Sequence, residues 1–240
     1  MMGRRGVLGL MAVSAVALLS GCGIFGKSIS YRYRLTVEVD TTQGVKTGSS
    51  VIQIDEAEQG GLEGSHLQVR MTGEAVAVDL QGSKTLFALL DGSPLSAITQ
   101  KLQAKPSDWY AVDKALKDTE GVFDVPRTVA NFRGKQVDAW PMLVTFGDMA
   151  DPRTVKRVDP DDAAATLGEG IRIRRITVEM TDDDVTTGIE KRLPERFWNS
   201  WARAHNDEME KNGGVMKNPY FLSLPGQLNK NSFVKDGEPV

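Results

Sequence analysis

Alternation of apolar and polar residues dominates the chain after residue 30. Between Tyr31 and Asp40 every odd-numbered residue is apolar or aromatic, and every even-numbered residue is polar or charged. This two-residue period is that of a strand with one buried face, and it predicts a half-buried antiparallel strand. Thr41 to Gly44 supply turn residues, so this strand and the next segment, Val45 to Ile54, are predicted to form a β-hairpin.

Further segments continue the strand pattern. His66 to Thr72 alternates again, and beyond Gly73 the apolar residues change parity, which predicts a turn or bulge at that glycine. The residues predicted to point inward are Leu67, Val69, Met71, Val76, Val78 and Leu80. Thr85 to Leu90 is a continuous apolar run, which is typical of a buried strand. The first half of the chain is therefore predicted to be a meander of about five strands.

Two later segments return to strand character. They are Gln136 to Phe146 and Ile171 to Met180. In the second segment the apolar parity changes across Arg174-Arg175. A bulge at this pair would keep one face of the strand buried.

Helical signals lie between and after these strands. Ser93-Pro94 supplies an N-cap and a first helical residue, and Ser107 or Asp108 can cap a second short helix. The apolar face of that second helix carries Trp109, Val112 and Leu116. Pro194 to Lys211 is predicted to be the longest helix, with Gly213 near its C′ position, and to dock on the sheet. Its apolar stripe consists of Phe197, Trp198, Trp201, Ala202, His205 and Met209.

These elements predict an α+β fold. A single domain over residues 31–211 is built mainly from an antiparallel sheet with a late amphipathic helix. Residues 212–240 form a C-terminal extension that is predicted to be partly ordered, with an apolar cluster at Tyr220, Phe221, Leu222 and Leu224.

The first 21 residues have the pattern of an export signal. Arg4-Arg5 forms a basic start, and Val7 to Leu19 is an apolar run too short to span a bilayer. Leu19-Ser20-Gly21-Cys22 then contains the only cysteine of the chain. This tetrapeptide resembles the lipobox of bacterial lipoproteins. The resemblance implies cleavage between Gly21 and Cys22 and acylation of Cys22, for example with palmitate; a plain secretory signal with a chance cysteine is the alternative.

An acylated cysteine would anchor the mature chain to a membrane. Each buried methylene contributes about 0.8 kcal/mol, so two or three acyl chains hold a protein stably. The resemblance also implies the periplasmic face of the outer membrane, because Gly23 and not Asp follows the cysteine; the inner membrane is the alternative. Residues 22–30 then form a lipidated N terminus and a tether so short that the domain lies close to the membrane.

Charge narrows the class of partner. Loss of Arg4 and Arg5 takes the formal net charge from −3 to −5. A mildly acidic chain lacks the basic field that nucleic-acid binding requires. The expected partners are the membrane, through the lipid, and another envelope protein.

Catalytic and metal-binding patterns are weak. Gly21 to Ser28 matches the phosphate-loop pattern, but the implied cleavage separates Gly21 from the rest, so the match is interpreted as chance. His66 and His205 are the only histidines, and no cysteine pair exists, so neither a metal nor a cofactor is predicted. Two acidic clusters, at residues 159–162 and 182–184, are interpreted as solvated turns. We assign no catalytic residue.

Aromatic residues near the C terminus are the candidate partner-binding residues: Trp198, Trp201, Tyr220 and Phe221. If these aromatic side chains face outward, they can bind a partner. The competing interpretation is that they pack in the core. We expect a non-enzymatic binding or assembly component of the envelope that faces the periplasm. The alternatives are a periplasmic hydrolase that uses carboxylates and a carrier whose sheet encloses a small apolar ligand.

The lipid anchor yields the first testable prediction. Wild-type protein should sediment with membranes and carry an acyl modification on Cys22, because the acyl chains insert in the bilayer. Cys22→Ser should lack that modification. Mass spectrometry of the N-terminal peptide from fractionated cells checks both. An unmodified Cys22 in membrane-bound wild-type protein would contradict the lipobox interpretation.

Overall fold

The computed structural model describes residues 26–61, 64–102, 108–131, 133–211 and 219–239, so Gly21 and Cys22 lie outside the described residues. The strands are β1 (Ser28–Thr41), β2 (Gly44–Gly61), β3 (Gly64–Glu74), β4 (Val76–Asp79), β5 (Thr85–Ala88), β6 (Val122–Asp124), β7 (Thr128–Ala130), β8 (Gln136–Asp138), β9 (Leu143–Phe146), β10 (Val155–Arg157), β11 (Arg172–Met180) and β12 (Val234–Pro239). The α-helices are α1 (Ser96–Thr99), α2 (Trp109–Lys117), α3 (Ala163–Leu167), α4 (Glu195–Lys211), α5 (Pro219–Leu222) and α6 (Leu224–Gln227). The predicted α+β class is confirmed.

A six-stranded antiparallel sheet is the largest unit, with strand order β12-β3-β2-β1-β11-β6. The predicted hairpin is confirmed, because β1 and β2 pair along their whole shared length down to Thr41 and Gly44. The alternation in β1 is also confirmed. Its five odd-numbered apolar residues from Tyr31 to Val39 are at most 6% exposed, so one face of β1 is fully covered.

The predicted meander is divided between two sheets. β1, β2 and β3 belong to the six-stranded sheet, whereas β4 and β5 belong to a four-stranded sheet of order β10-β9-β5-β4. The chain passes between the sheets at Ala75, where the parity of the buried residues changes. The sheets come very close at Gly48, because a Cβ there would lie 2.3 Å from the carbonyl oxygen of Ala77. A larger residue at Gly48 would force them apart.

The four-stranded sheet is the middle layer of three. Leu86 and Ala88 of β5 pack against the six-stranded sheet, while Phe87 and Leu89 pack against α4. Both faces of β5 are therefore buried, which explains its continuous apolar sequence. The predicted docking of the long helix on the sheet is confirmed.

The predicted bulge in β11 is confirmed. Glu38 pairs with Arg175 and Val39 pairs with Ile173, so Arg174 is the extra residue. Because of this extra residue, Ile173 and Ile176 both face the core.

The predicted apolar stripe of α4 is wider than the buried one. Phe197, Trp198 and Trp201 are buried, but Ala202 is exposed, and His205 and Met209 are half-buried. α2 begins as predicted after Asp108, whose carboxylate accepts a hydrogen bond of 3.2 Å from the backbone N–H of Ala111.

The C-terminal extension completes the core. β12 pairs with β3 at the edge of the six-stranded sheet. Just before it, Phe233 is 0% exposed and packs against aromatic rings from both the four-stranded sheet and α4. Its ring centroid lies 5.7 Å from that of Phe87 and 5.5 Å from that of Trp198. Residues beyond 219 are thus part of the same folded unit as residues 31–211.

Removal of the Phe233 ring should destabilise the whole domain. Phe233→Ala should lower the free energy of unfolding by about 3–5 kcal/mol, because it leaves a cavity among the packed rings. Leu222→Ala is the control, since Leu222 is 72% exposed and should change stability by no more than about 0.5 kcal/mol. Urea denaturation of both variants measures the difference. Equal stability of the two would mean that the extension does not belong to the core.

Candidate functional site

An apolar groove lies on the inner face of the six-stranded sheet. It has a volume of about 440 Å³ and runs between that face and the segment from Leu89 to Thr99. This volume is within the range of about 300–1,000 Å³ that is usual for ligand pockets. Strands β1, β2 and β3 supply one wall through Tyr31, Tyr33, Leu35, Ile52, Ile54, Glu56, Val69 and Met71. The groove therefore combines apolar walls with a few polar groups.

The strand register determines which side chains face the groove. Tyr31 pairs with Ile54, which in turn pairs with Met71, and all three share one face. The next row towards the start of β1 contains Glu56, paired with Val69. A carboxyl group thus occupies an inward position in an otherwise apolar row.

The opposite wall is held by hydrogen bonds to neighbouring loops. The backbone N–H of Leu89 donates to the carbonyl oxygen of Met142 at 3.0 Å. Asp91, another groove residue, accepts a hydrogen bond of 2.7 Å from the backbone N–H of Met142. Burial raises the pKa of Asp91 above its ordinary value. Asp91 therefore has a structural partner on this wall.

Helix α2 places a second carboxyl group against Glu56. Asp113 is 8% exposed and lies one turn before Leu116, which is 1% exposed. The Lys117 ammonium donates a hydrogen bond of 2.9 Å to the carbonyl oxygen of Ser30, which ties the helix to the start of β1. Asp113 faces Glu56 closely enough to influence its pKa.

The two carboxyl groups differ from ordinary acidic side chains in their ionisation. Burial, followed by the neighbouring Asp113, raises the pKa of Glu56 to about 7, and burial also raises the pKa of Asp113. The Tyr31 hydroxyl donates a hydrogen bond of 3.4 Å to Glu56 Oε1. Among the described residues, no Lys, Arg or His forms a salt bridge with either carboxyl group. Glu56 therefore keeps its proton to a higher pH than an ordinary glutamate.

Tyr33 adds a hydroxyl group to the wall of the groove. The residue is 4% exposed, and within the described ranges no hydrogen bond to its hydroxyl is present. Burial raises the pKa of Tyr33 above its ordinary value. Tyr33 thus offers a hydrogen-bonding position inside the groove.

Glu74 shows how a structural carboxylate differs from this pair. It is 8% exposed and accepts hydrogen bonds from the backbone N–H groups of Gly188 at 3.1 Å and Ile189 at 2.8 Å. Its oxygens are therefore satisfied by the fold. Among the described residues, Glu56 has instead the Tyr31 hydroxyl and the neighbouring Asp113 as its side-chain partners.

The predicted partner-binding tryptophans belong to the core. Trp198 is 7% exposed and Trp201 is 3% exposed. The Trp201 indole N–H donates a hydrogen bond of 2.8 Å to the carbonyl oxygen of Pro225. Core packing, the competing interpretation, therefore describes both rings. Tyr220 is half-buried, with its ring 6.1 Å from His205, and the side chain of Phe221 lies outside the described residues.

The remaining candidates from the sequence are surface features. His66 is exposed on β3, and His205 is half-buried on α4. Within the 182–184 cluster, the backbone oxygens of Asp182 and Asp183 accept hydrogen bonds from Arg32, and the Asp183 carboxylate pairs with Arg34. In the 159–162 cluster, the Asp162 carboxylate caps α3. These contacts are those expected of solvated turns.

Sequence reasoning missed both members of the carboxyl pair, although signals for each exist. Glu56 continues the inward parity of Ile52 and Ile54 beyond the predicted end of the strand. Asp113 is on the apolar face of the predicted second helix, between Val112 and Leu116. A charged residue at a position that the pattern assigns to the core is the signal that identifies such a pair.

Three comparisons with known proteins find no relative. No family model matches the chain, and neither a curated protein nor a solved structure is similar to it. Within the part of the chain that the structure describes, no group of three or more His, Cys, Asp and Glu side chains is placed to hold a metal ion. In the same part, no helix is both long and apolar enough to cross a membrane. The groove and its carboxyl pair are therefore described from the geometry of this chain and not from that of a relative.

The carboxyl pair predicts how stability depends on pH. Because the pKa of Glu56 rises from 4.5 to about 7 on folding, the folded state binds more protons between these values. The free energy of unfolding should therefore fall as the pH rises through this window. Glu56→Gln should remove that fall and be more stable than wild type above the window, on the order of 1 kcal/mol after allowance for partial solvent exposure.

Urea denaturation across the pH range measures this effect. Asp55→Asn is the matched control, since Asp55 is the adjacent carboxylate on the opposite face of β2. The wild-type slope should persist in that control. A Glu56→Gln variant with the wild-type slope would mean that Glu56 does not titrate in this window.

Proposed function

We propose that the protein is a non-enzymatic, lipid-anchored envelope protein that binds a small amphipathic ligand in the groove described above. The observation that carries this proposal is a groove of about 440 Å³ whose walls are mostly apolar and aromatic side chains. Apolar walls with a few convergent polar groups are the usual composition of a small-molecule site. Of the hypotheses from the sequence, the carrier fits this geometry best.

The groove is less suited to glycoside hydrolysis. Glycoside hydrolases hold their two carboxyl groups about 5 Å or more apart, on either side of the scissile bond. Of Glu56 and Asp113, only Glu56 lines the groove, and Asp113 is 8% exposed. A substrate in the groove would therefore meet only one carboxyl group of the pair.

The short distance along the chain between Cys22 and the groove also favours an apolar ligand. The row that contains Glu56 lies at the start of β1, where Ile29 pairs with Glu56. Cys22, the proposed lipidation site, is only seven residues before Ile29, and extended chain covers at most about 3.6 Å per residue. An acylated Cys22 would hold this end of the groove near a bilayer, which is a source of apolar molecules.

Photo-crosslinking of the full-length lipidated protein in nanodiscs tests the proposal. The probe is a neutral long-chain alcohol that carries a diazirine, and peptide mass spectrometry locates the labelled residues. We expect labelling in peptides from β1, β3 and the Leu89–Thr99 segment. Val69→Trp should reduce this labelling several-fold, because the larger ring fills the groove.

Leu67→Trp is the matched control for this experiment. Leu67 lies two residues before Val69 on the same strand, but it is 41% exposed and does not line the groove. Labelling of this variant should equal that of wild type. Thermal melting of both variants shows whether each is folded. Uniform labelling over the surface, or equal labelling of a folded Val69→Trp, would overturn the proposal.

A further inference from the structure

We propose that one end of the domain rests on the bilayer in which the acyl chains of Cys22 are inserted. The contact surface consists of the residue before β1 and the first two turns of α2, and its side chains are Lys27, Trp109, Tyr110 and Lys114. This inference rests on the proposed function, because it takes the lipid anchor as given. It adds a fixed orientation of the domain on the membrane.

The tether from Cys22 joins the domain beside α2. The carbonyl oxygen of Lys27 accepts a hydrogen bond of 2.8 Å from the backbone N–H of Glu58, which fixes this residue at the end of the sheet. The Lys27 ammonium lies 5.5 Å from the centroid of the Tyr110 ring. Cys22 precedes Lys27 by five residues, and that length of extended chain covers at most about 18 Å. An acylated Cys22 would therefore keep the start of α2 close to the lipid headgroups.

The two aromatic residues at the start of α2 suit a membrane–water interface. Trp109 and Tyr110 are both half-buried, and their ring centroids are 5.7 Å apart. The indole N–H groups of Trp140 and Trp201 donate to backbone carbonyl oxygens, whereas that of Trp109 has no hydrogen-bond partner within the described ranges. Trp and Tyr are enriched at the headgroup level because each combines an apolar ring with a polar group.

A lysine of α2 extends this surface. Tyr110 and Lys114 are four residues apart, so they lie on the same face of the helix. Lys114 is exposed. A lysine side chain at an interface can lay its methylene groups along apolar surface and direct its ammonium group towards lipid phosphates. The face of α2 beside the tether thus combines aromatic rings with a long basic side chain.

The charges at this end favour contact through the rings over attraction to anionic lipid. The Lys27 ammonium is 4.0 Å from the Asp108 carboxylate, and the Lys114 ammonium is 3.0 Å from that of Asp118. These pairs balance the positive charge of both lysines, and the chain as a whole is acidic. We therefore expect the contact to form on neutral phosphatidylcholine.

A bilayer fits this surface better than a protein partner does. A stable protein–protein interface involves about 20–30 residues on each side, whereas the contact surface has four side chains. On a membrane such a small surface is sufficient, because the acyl chains supply the affinity and the side chains only orient the domain.

This orientation would bring the groove close to the bilayer. Ile29, two residues after Lys27, pairs with Glu56, which lines the groove together with Val69. This end of the groove is thus within a few residues of the contact surface. An apolar molecule that leaves the bilayer would have only a short path to the groove.

Quenching of tryptophan fluorescence by brominated lipids tests the inference. The full-length lipidated protein is placed in phosphatidylcholine nanodiscs whose acyl chains carry bromine either near the headgroup or near the terminal methyl group. We expect quenching, and we expect it to be stronger for bromine near the headgroup, because interfacial rings lie at that depth. Addition of anionic phosphatidylglycerol should leave the quenching unchanged.

Tryptophan variants locate the contact. Trp109→Phe should lose most of the quenching. Trp140→Phe is the matched control, because Trp140 is also half-buried but lies between β8 and β9, and this variant should keep the wild-type quenching. Thermal melting shows whether each variant is folded, and Trp109→Tyr serves as the second test if Trp109→Phe is not.

The outcomes separate this inference from the proposed function. Absence of quenching in acylated wild-type protein, or wild-type quenching in a folded Trp109 variant, would overturn the bilayer contact but leave the anchor and the groove. Quenching that requires phosphatidylglycerol would overturn contact through the rings. An unmodified Cys22, detected by mass spectrometry of the same sample, would overturn the lipid anchor of the proposed function itself.

Discussion

Burial of one complete face of β1 is the constraint on which the structure depends. β1 pairs with β2 on one side and β11 on the other, and its odd-numbered side chains face the inner layer. A slip of one residue would bring Arg32, Arg34 and Glu38 into that layer. The alternation thus determines the register of three strands. It also determines that the groove, with Tyr31 and Tyr33 in its wall, forms on the inner face.

The second sheet and α4 close the other side of the core. β5 is buried on both faces, since Leu86 packs towards the larger sheet and Phe87 towards α4. Phe233 reaches the same aromatic cluster from the C-terminal extension. α4 and the extension cover the outer face of the four-stranded sheet, whereas the groove lies between the larger sheet and the segment after Leu89. Layer order therefore separates the aromatic core from the candidate site.

Prediction from the sequence succeeds where a local pattern is complete. The β1–β2 hairpin, the bulge at Arg174 and the long helix α4 each follow from residues close together in the chain. Phe233 could not be predicted in the same way, because Phe233-Val234 is only a two-residue apolar segment between polar ones, and the partners of Phe233 are distant in the chain. The division at Ala75 between two sheets also depends on long-range packing. The carboxyl pair depends on long-range packing too, since Asp113 comes near Glu56 of β2 only when α2 packs against the start of β1.

A carboxyl group that faces an apolar groove is stable only if it keeps a proton or gains a partner. Glu56 lines the groove, and its raised pKa corresponds to the first of these conditions. The titration of Glu56, followed by NMR of its side-chain carboxyl carbon, is the most direct test of this arrangement. We predict a midpoint of about 7 in wild-type protein. A midpoint at 4.5, the ordinary value for glutamate, would contradict it.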